Sequence, residues 1–320
     1  MTMANTATLS SKPRVLVSGG TGFVGKNLVR TLVDAGYVVT VLSRHADLHK
    51  DLASPPLLRV LGLPMNLDAH GPEPSAALVE LLKGHVALIN LVGILNEPRH
   101  NGEVFEQVHV GFTKQILTAA HQAGISRYLH MSALGADAIN GSSVYLRSKG
   151  RAESWAHEFG ASHGIAVTSF RPSVIFGPGD SFLSRFASLA RLMPGIFPLA
   201  CAQARFAPVY VGDVSKQFLE ALNDPGRAGQ HLDLCGPRDY ALRDLVDYAA
   251  RVSGHPRRIL PLPDWVAQIQ ARVLELAPGQ PFTRDNYASL QTPSVCAAGC
   301  ARQPTRLEDI APDYVGRSSS

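Results

Sequence analysis

The stretch Arg14-Val15-Leu16-Val17-Ser18-Gly19-Gly20-Thr21-Gly22-Phe23-Val24-Gly25-Lys26-Asn27-Leu28-Val29 decides the fold. An apolar, β-branched run stops at a glycine cluster. A helical pattern starts at once, with Val24, Leu28, Val29, Leu32 and Val33 on one face. This is strand, tight turn, helix. Gly19, Gly22 and Gly25 stand as G-x-x-G-x-x-G. The first can take the positive φ of the turn, the second lets a pyrophosphate approach the backbone, and the third lets the helix pack close to the strand. With Thr21, Phe23 and Val24 at the helix opening, they make a candidate phosphate cradle of exposed amides. Glycine turns between strand and helix are common. What points to a dinucleotide is the position on the first strand, with a second strand one βαβ unit later.

That second strand is Tyr37 to Leu42, entered through Asp34-Ala35-Gly36. An NAD site carries an acid near the end of this strand, on the ribose hydroxyls. Ser43-Arg44-His45 stands there instead. An acid repels a 2′-phosphate and a guanidinium grips one, so Ser43 and Arg44 favour NADP(H), with NAD(H) as the alternative. A solvated arginine at a strand end is the bland reading of the same residues.

Working outward, Leu57 to Leu61 is a short third strand, Ala76 to Leu82 a helix, and Val86 to Val92 a continuous apolar run of the kind a buried parallel strand shows. Val104 to Ala123 is a helix, Ser126 to Ser132 the fifth strand and Val167 to Ile175 the sixth, after which Pro208 to Val211 is expected to return to the sheet. Strands separated by helical patterns imply a doubly wound, parallel α/β sheet covered on both faces. The chain of 320 residues, 45% hydrophobic and 18% charged, has the means for one large core with a second, smaller lobe. A net charge of +4 without a Lys/Arg run, and 7% aromatic residues without an interleaved pattern, argue against a nucleic-acid partner. Cys201, Cys235, Cys296 and Cys300 form no C-x-x-C and lack a completing His/Cys set. The expectation is reduced thiols and no metal. Met1 to Lys12 has no apolar core of a signal peptide, and no run approaches the roughly 18 residues that span a bilayer. A cytoplasmic location follows, with peripheral contact on the inner face of a membrane as the alternative.

The chemistry is expected between Ser132 and Lys149. Ser132 ends the fifth strand, at the carboxyl edge where open α/β sheets bind ligands. Tyr145-Leu146-Arg147-Ser148-Lys149 opens a helix to about His163, and the i, i+4 spacing puts Tyr145 and Lys149 on one face. A phenol of pKa about 10 is a poor acid/base near neutrality. A nearby ammonium and a nicotinamide cation would lower that pKa. Lys149 can also hold a ribose hydroxyl, and Ser132 a substrate carbonyl or hydroxyl. Y-x-x-x-K recurs by chance on many helices; the argument is its conjunction with the glycine turn and the strand-end serine.

At these residues the chain resembles the extended, epimerase-like branch of the short-chain dehydrogenase/reductase superfamily. The resemblance is carried by Gly19 to Gly25, Asn90 with Gly93, Ser132, Tyr145 with Lys149, and Arg171-Pro172-Ser173-Val174-Ile175-Phe176-Gly177, over roughly Arg14 to Asn223. More narrowly, His130-Met131-Ser132-Ala133-Leu134-Gly135-Ala136, Tyr145 to Lys149, Asn90-Leu91-Val92-Gly93-Ile94-Leu95 and Thr283-Arg284-Asp285-Asn286-Tyr287 resemble one atypical subgroup. It contains the nucleotide-binding accessory subunit of respiratory complex I and its bacterial relatives. The resemblance implies a Rossmann domain (14–178 and 206–236) with an interleaved substrate lobe (179–205 and 237–313), between a flexible start (1–13) and a tail (314–320). It implies that Asn90, Leu91, Val92 and Gly93 border the cofactor, and that Pro172, Ser173 and Val174 meet its nicotinamide side. Two departures stand out. The family's Asp after the third strand is missing, with Asn66 or Asp68 as unassigned substitutes. His109 stands where many members have Asn, and packing is the simpler reading of it.

Two functions compete. The first is an NADP(H)-dependent oxidoreductase or epimerase on a small substrate, which the side chains around Phe182 to Phe206 suggest is apolar. The second is an NADPH-binding structural or assembly subunit of a respiratory complex, stabilised by its cofactor. Ser132, Tyr145 and Lys149 remaining together favours the first. Oligomeric state stays open. Trp265, Val266, Ile269, Val273 and Leu276 make an apolar stripe over Asp264 to Leu276. It faces a core in the ordinary case, and a substrate lip or membrane surface in the sharper one.

Overall fold

A computed structural model describes residues 12–52, 57–62, 73–98 and 100–316. Strand β1 (Arg14–Ser18) is followed by the helix Phe23–Asp34, then β2 (Val38–Ser43) and β3 (Leu58–Gly62). Across the chain come β4 (Ala87–Asn90), β5 (Arg127–Met131), β6 (Ala166–Pro172), β7 (Ile175–Phe176), β8 (Ile196–Leu199), β9 (Arg205–Phe206), β10 (Val209–Tyr210), β11 (His231–Leu234), β12 (Tyr240–Ala241) and β13 (Arg258–Pro261). Seven strands form one sheet in the order β11-β6-β5-β4-β1-β2-β3, each pairing parallel. The order reverses between β1 and β4, so their carboxyl ends open the crevice in which such sheets hold dinucleotides.

Alternation along the strands explains the two faces. Val15 and Val17 enter one core with Leu28 and Leu32 of the first helix and Val214 and Phe218 of helix Val211–Asn223. Leu16 and Tyr128 enter the other, against helices Ala76–Leu82, Phe112–Gln122 and Val144–His163. Both faces are covered, which is why these strands read as unbroken apolar runs.

Most expected elements lie within one or two residues of their reading. Three differ. The expected helix Val104 to Ala123 has a wide, π-type turn at Glu106–Gly111 between Glu103–Phe105 and Phe112–Gln122. The expected sixth strand, Val167 to Ile175, ends at Pro172, and Ile175–Phe176 forms a separate pair with Val209–Tyr210. The return to the main sheet expected at Pro208 to Val211 therefore does not occur; Pro208 has no N–H to donate to a ladder, and the seventh sheet position goes to β11.

The C-terminal lobe packs helix Leu183–Leu192 on helix Leu242–Val252, with the small pairs β8·β13 and β9·β12 at its sides. Phe182, Phe186 and Phe206 pack on one another in this lobe. They are half-buried, and they do not line the cavity beside the Tyr145 helix. The expectation of four reduced thiols is also corrected. Cys235, just past β11, and Cys296 are joined in a disulfide whose partners lie 61 residues apart in sequence. Folding the 290–303 segment against β11 brings them together, a contact that no local spacing announces. Cys201 and Cys300 are free.

Candidate active site

The glycine turn has the shape its sequence asks for. Gly19 sits at φ +77°, and Gly22 N–H donates back to Gly19 O at 3.1 Å. A Cβ on Gly25 would overlap Gly19 O and Gly20 Cα, so only glycine lets the helix cross the turn this closely. Gly22 caps the helix in extended conformation, and a Cβ there would meet only Gly19 O, at 3.4 Å. The first intrahelical bond is Lys26 N–H to Gly22 O, at 2.9 Å. The amides of Phe23, Val24 and Gly25 thus have no acceptor within the helix, and no acid stands in the first turn. An open approach, free donors and the positive end of the helix fit the pyrophosphate of a dinucleotide. Thr21 lies half-buried in the same turn.

Ser43 ends β2, buried, and its hydroxyl accepts from His45 N–H at 3.2 Å. Arg44 beside it is exposed. Asn66 and Asp68 lie outside the described residues.

The loop after β4 is pinned by Asn90. Its Oδ1 accepts from Ser18 Oγ at 3.0 Å and Val92 N–H at 3.1 Å. Its amide donates to Tyr128 Oη at 3.0 Å and Thr113 Oγ1 at 3.2 Å. All four bonds are internal, so Asn90 shapes the crevice instead of offering its side chain to a ligand. A Cβ on Gly19 would come within 3.1 Å of Leu91 C, which shows how tightly the Leu91-Val92 backbone closes on the glycine turn. A Cβ on Gly93 would lie 3.7 Å from Lys149 Nζ.

Helix Val144–His163 begins at Ser143, whose Oγ accepts from Leu146 N–H at 3.0 Å. Tyr145 is in its first turn. The ring meets Phe105 and His109 edge-on, with centroids 6.0 and 5.6 Å apart. No described residue hydrogen-bonds its hydroxyl. Lys149, one turn on, is buried and donates to Met131 O at 2.5 Å. Burial lowers its ammonium to about 8, against an opposing pull from Glu153.

The phenol moves opposite to expectation. Burial pushes Tyr145 up to about 12, and the Asp285 carboxylate adds to the rise. Lys149 does not offset this, because its ammonium is directed to the end of β5. Asp285 accepts from Val144 N–H at 2.7 Å and Tyr145 N–H at 3.2 Å, directly beneath the phenol-bearing turn. Sequence reading saw Asp285 only as part of a resembling motif. The available signal was the capping pattern Thr283-x-x-Asn286, which fixes a short helix and with it the carboxylate.

The Ser132 Oγ is buried without a hydrogen-bond partner and faces Glu153, which lies two turns along the helix from Tyr145. Glu153 is itself buried, held by Arg171 at 2.6 Å and by His231. Burial pushes its carboxyl up, but Arg171, Ser132 and His231 outweigh that and hold it below the usual range. His157, stacked on His231 at 4.0 Å, completes a polar layer under the helix. Glu153, His157 and His231 could converge on a metal ion, but the Arg171 guanidinium already pairs with that carboxylate. Ser173 is likewise occupied: its Oγ donates to Ser294 O at 2.7 Å and accepts from Ala207 N–H at 3.1 Å. Pro172 O accepts from Leu134 N–H at 3.0 Å, and Val174 O from Val209 N–H at 3.0 Å. This strand end can offer a ligand backbone and apolar surface more than free polar groups.

His109 packs, as expected, and also bonds. It lies in the π-type turn, accepts from Ile94 N–H on Nε2 at 3.1 Å, and so presents its Nδ1–H to Ser148 Oγ at 2.8 Å. Burial, reinforced by Lys149, lowers it to about 2, and burial holds His130 well below its ordinary value. A depressed base takes up its proton in the unfolded chain first. Its contribution to stability is present above about pH 6.5 and is lost as pH falls. Each of these two histidines should remove about 1.4 kcal/mol per pH unit below that point. Urea midpoints at descending pH test this. His109→Asn, which removes one of the titrating rings, should give a shallower decline, and an unchanged slope would count against the assignment.

Between the loop at Asn96 and Glu97, the start of the Tyr145 helix and the segment from Glu275 to Asp285 lies a cavity of about 260 Å³. Glu97, buried, shapes its wall by accepting from Val104 N–H at 3.1 Å and Phe105 N–H at 3.2 Å.

Comparison with known proteins agrees with this architecture. A family profile described as the NAD dependent epimerase/dehydratase family matches residues 15–235. The mitochondrial NADH dehydrogenase [ubiquinone] 1 alpha subcomplex subunit 9 of Mus musculus is 32% identical over 83% of this chain and 68% of its own length. Ceramide reductase of Caulobacter vibrioides is 28% identical over 90% of this chain and 83% of its own. 3-beta-hydroxysteroid dehydrogenase of Mycolicibacterium neoaurum is 30% identical over 54% and 50%. Among solved structures, a UDP-galactose 4-epimerase superposes with a TM-score of 0.63 at 19% identity, over 87% of this chain and 96% of that one. The sheet order, the glycine turn and the matched profile together place this chain in the NAD-dependent epimerase/dehydratase family.

Proposed function

We propose that the protein is an NADP(H)-dependent oxidoreductase that interconverts a carbonyl and a hydroxyl on a small apolar molecule. The observation that carries this is the Tyr145 hydroxyl, unbonded by any described residue, one helical turn from the buried Lys149 ammonium. A phenol held near 12 is a protonated acid at neutral pH, suited to giving its proton to a carbonyl oxygen in the reductive direction. A nicotinamide cofactor, when bound, supplies the hydride. Gly19, Thr21, Gly22, Phe23, Val24 and Gly25 would hold its pyrophosphate, and the backbone from Leu91 to Gly93 would border it. Ser43 and Arg44 would meet the 2′-phosphate, and Pro172, Ser173 and Val174 the nicotinamide face. Lys149 orients a ribose hydroxyl in this reading. Ser132 supports Glu153 unless its rotamer turns. The division into cofactor domain (14–178, 206–236) and substrate lobe (179–205, 237–313) belongs to the same proposal. The apolar substrate class is supported by relatives named for ceramide and hydroxysteroid chemistry.

The second reading is an NADPH-binding structural subunit. The Asp285 carboxylate beside Tyr145 favours it, as does the mouse relative's name. A first test is the nucleotide that co-purifies, and its oxidation when steroid and long-chain ketones are added. Cofactor choice has its own test. NADPH should bind more tightly than NADH, and Arg44→Ala should narrow the gap by about 1–3 kcal/mol, the scale of a charge-assisted contact. Equal affinities in the unmutated protein would remove the role given to Arg44.

A further inference from the structure

Helix Asp264–Leu274 is inverted relative to an ordinary surface helix. Its buried residues are Ala267 and Ala271. At about 100° per residue, Trp265, Ile269 and Val273, with Leu276 just beyond, fall in one stripe within about 40° of Ile269, diametrically opposite those alanines. These four are 66%, 53%, 60% and 84% exposed. Small residues face in and large apolar ones face water. Core packing, the ordinary reading of such a stripe, does not account for it. Leu260 of β13 and Ile196 of β8, on two paired strands, are also about half exposed.

We infer that this stripe is a docking surface for an anionic lipid bilayer. Three observations select that occupant. Arg272 borders the stripe on the helix and Arg258 lies on β13, both exposed and without an ion-pair partner among the described residues. Of the nearby acids, Asp264 keeps its charge but lies on the helix's other side, where it accepts from Tyr287 Oη and Gln268, and Glu275 is buried and paired with Arg284. The charge that borders the stripe itself is therefore positive, from Arg272, and each arginine near an anionic surface strengthens adsorption. Finally, the stripe ends at Leu276, in the wall of a second, open cavity of about 580 Å³. That cavity shares His100 and Glu275 with the cavity beside the Tyr145 helix. A bilayer pressed on the stripe would stand at the rim of the open cavity. An eleven-residue helix is too short to cross a bilayer, so the contact is interfacial. The inference stands apart from the catalytic reading, and its test reads binding alone.

The full chain is sedimented with vesicles of phosphatidylcholine, with and without phosphatidylglycerol. Binding is expected to the anionic vesicles and to weaken with salt. Arg258→Gln and Arg272→Gln should each lower it about fivefold, and Ile269→Ser with Val273→Ser and Leu276→Ser by about tenfold or more. In a Trp155→Phe background, Trp265 emission should shift to the blue on anionic vesicles. Unchanged NADPH affinity in each variant verifies the fold. No sedimentation, equal sedimentation with neutral vesicles, or a self-association that the triple variant dissolves would each overturn the inference, the last assigning the stripe to a second copy.

Discussion

Tyr145→Phe is expected to lower turnover by about 10²–10⁴-fold, the range for losing a positioned acid, while leaving cofactor affinity and stability nearly unchanged. The asymmetry follows from what the residue touches. The ring's edge-on contacts with Phe105 and His109 survive the substitution. The hydroxyl makes no hydrogen bond to a described residue, so stability should change by no more than about 1 kcal/mol. The measurement pairs NADPH oxidation, with whichever ketone the parent protein reduces, against an NADPH titration. Full activity, or full complementation of a deletion strain, in the Phe variant would defeat the catalytic reading. A loss of function with binding intact would defeat the structural-subunit reading. Lys149→Ala should weaken cofactor binding under either reading, since its ammonium is the one buried Lys or Arg cation among the described residues and lies at the crevice edge by Gly93, and should lower turnover as well only under the catalytic one.

How much of this was legible depended on whether the determining contacts were local. The glycine turn, the first six parallel strands and the placing of Tyr145 and Lys149 on one helix follow from patterns within about twenty residues. There the periodicity of apolar side chains and the need for a Cβ-free crossing act directly. What escaped was set by distant segments. The rise of the phenol comes first from burial and then from Asp285, which is 140 residues away in sequence. Ser132 is drawn to Glu153 because strand alternation turns it to the face that Arg171 and His231 make polar. A strand-end serine looks identical in sequence whichever face is polar. The disulfide likewise required knowing that the 290–303 segment folds back on β11. The stripe of helix Asp264–Leu274 was visible as a period, but a period does not say which side faces the protein. Alanines at 267 and 271 were the residue-level clue, since they let the helix pack closely through its small face.

The second large effect is expected at the cofactor cradle, where one substitution should raise stability and remove binding together. Gly22 is the helix N-cap, at φ −75° and ψ 178°, a conformation open to any residue. A Cβ there meets only Gly19 O, at 3.4 Å, an ordinary contact. Aspartate is among the best N-caps, and by accepting an amide of the first turn it should stabilise the free protein by a few tenths of a kcal/mol. The same carboxylate would stand where the pyrophosphate approaches. Two unit charges about 4 Å apart repel by about 4 kcal/mol at an effective dielectric of 20, close to a thousandfold in affinity. Gly22→Asn, of the same shape without the charge, should cost much less. The experiment is thermal unfolding with and without NADPH. The cofactor should raise the midpoint of the parent protein by mass action and leave that of Gly22→Asp unmoved, at or slightly above the cofactor-free parent. An undiminished NADPH shift in the aspartate variant would mean that the helix start holds no phosphate. A variant that fails to fold would contradict the open cap geometry on which the prediction rests, and a steep gap between Asn and Asp would identify charge, not bulk, as the cause.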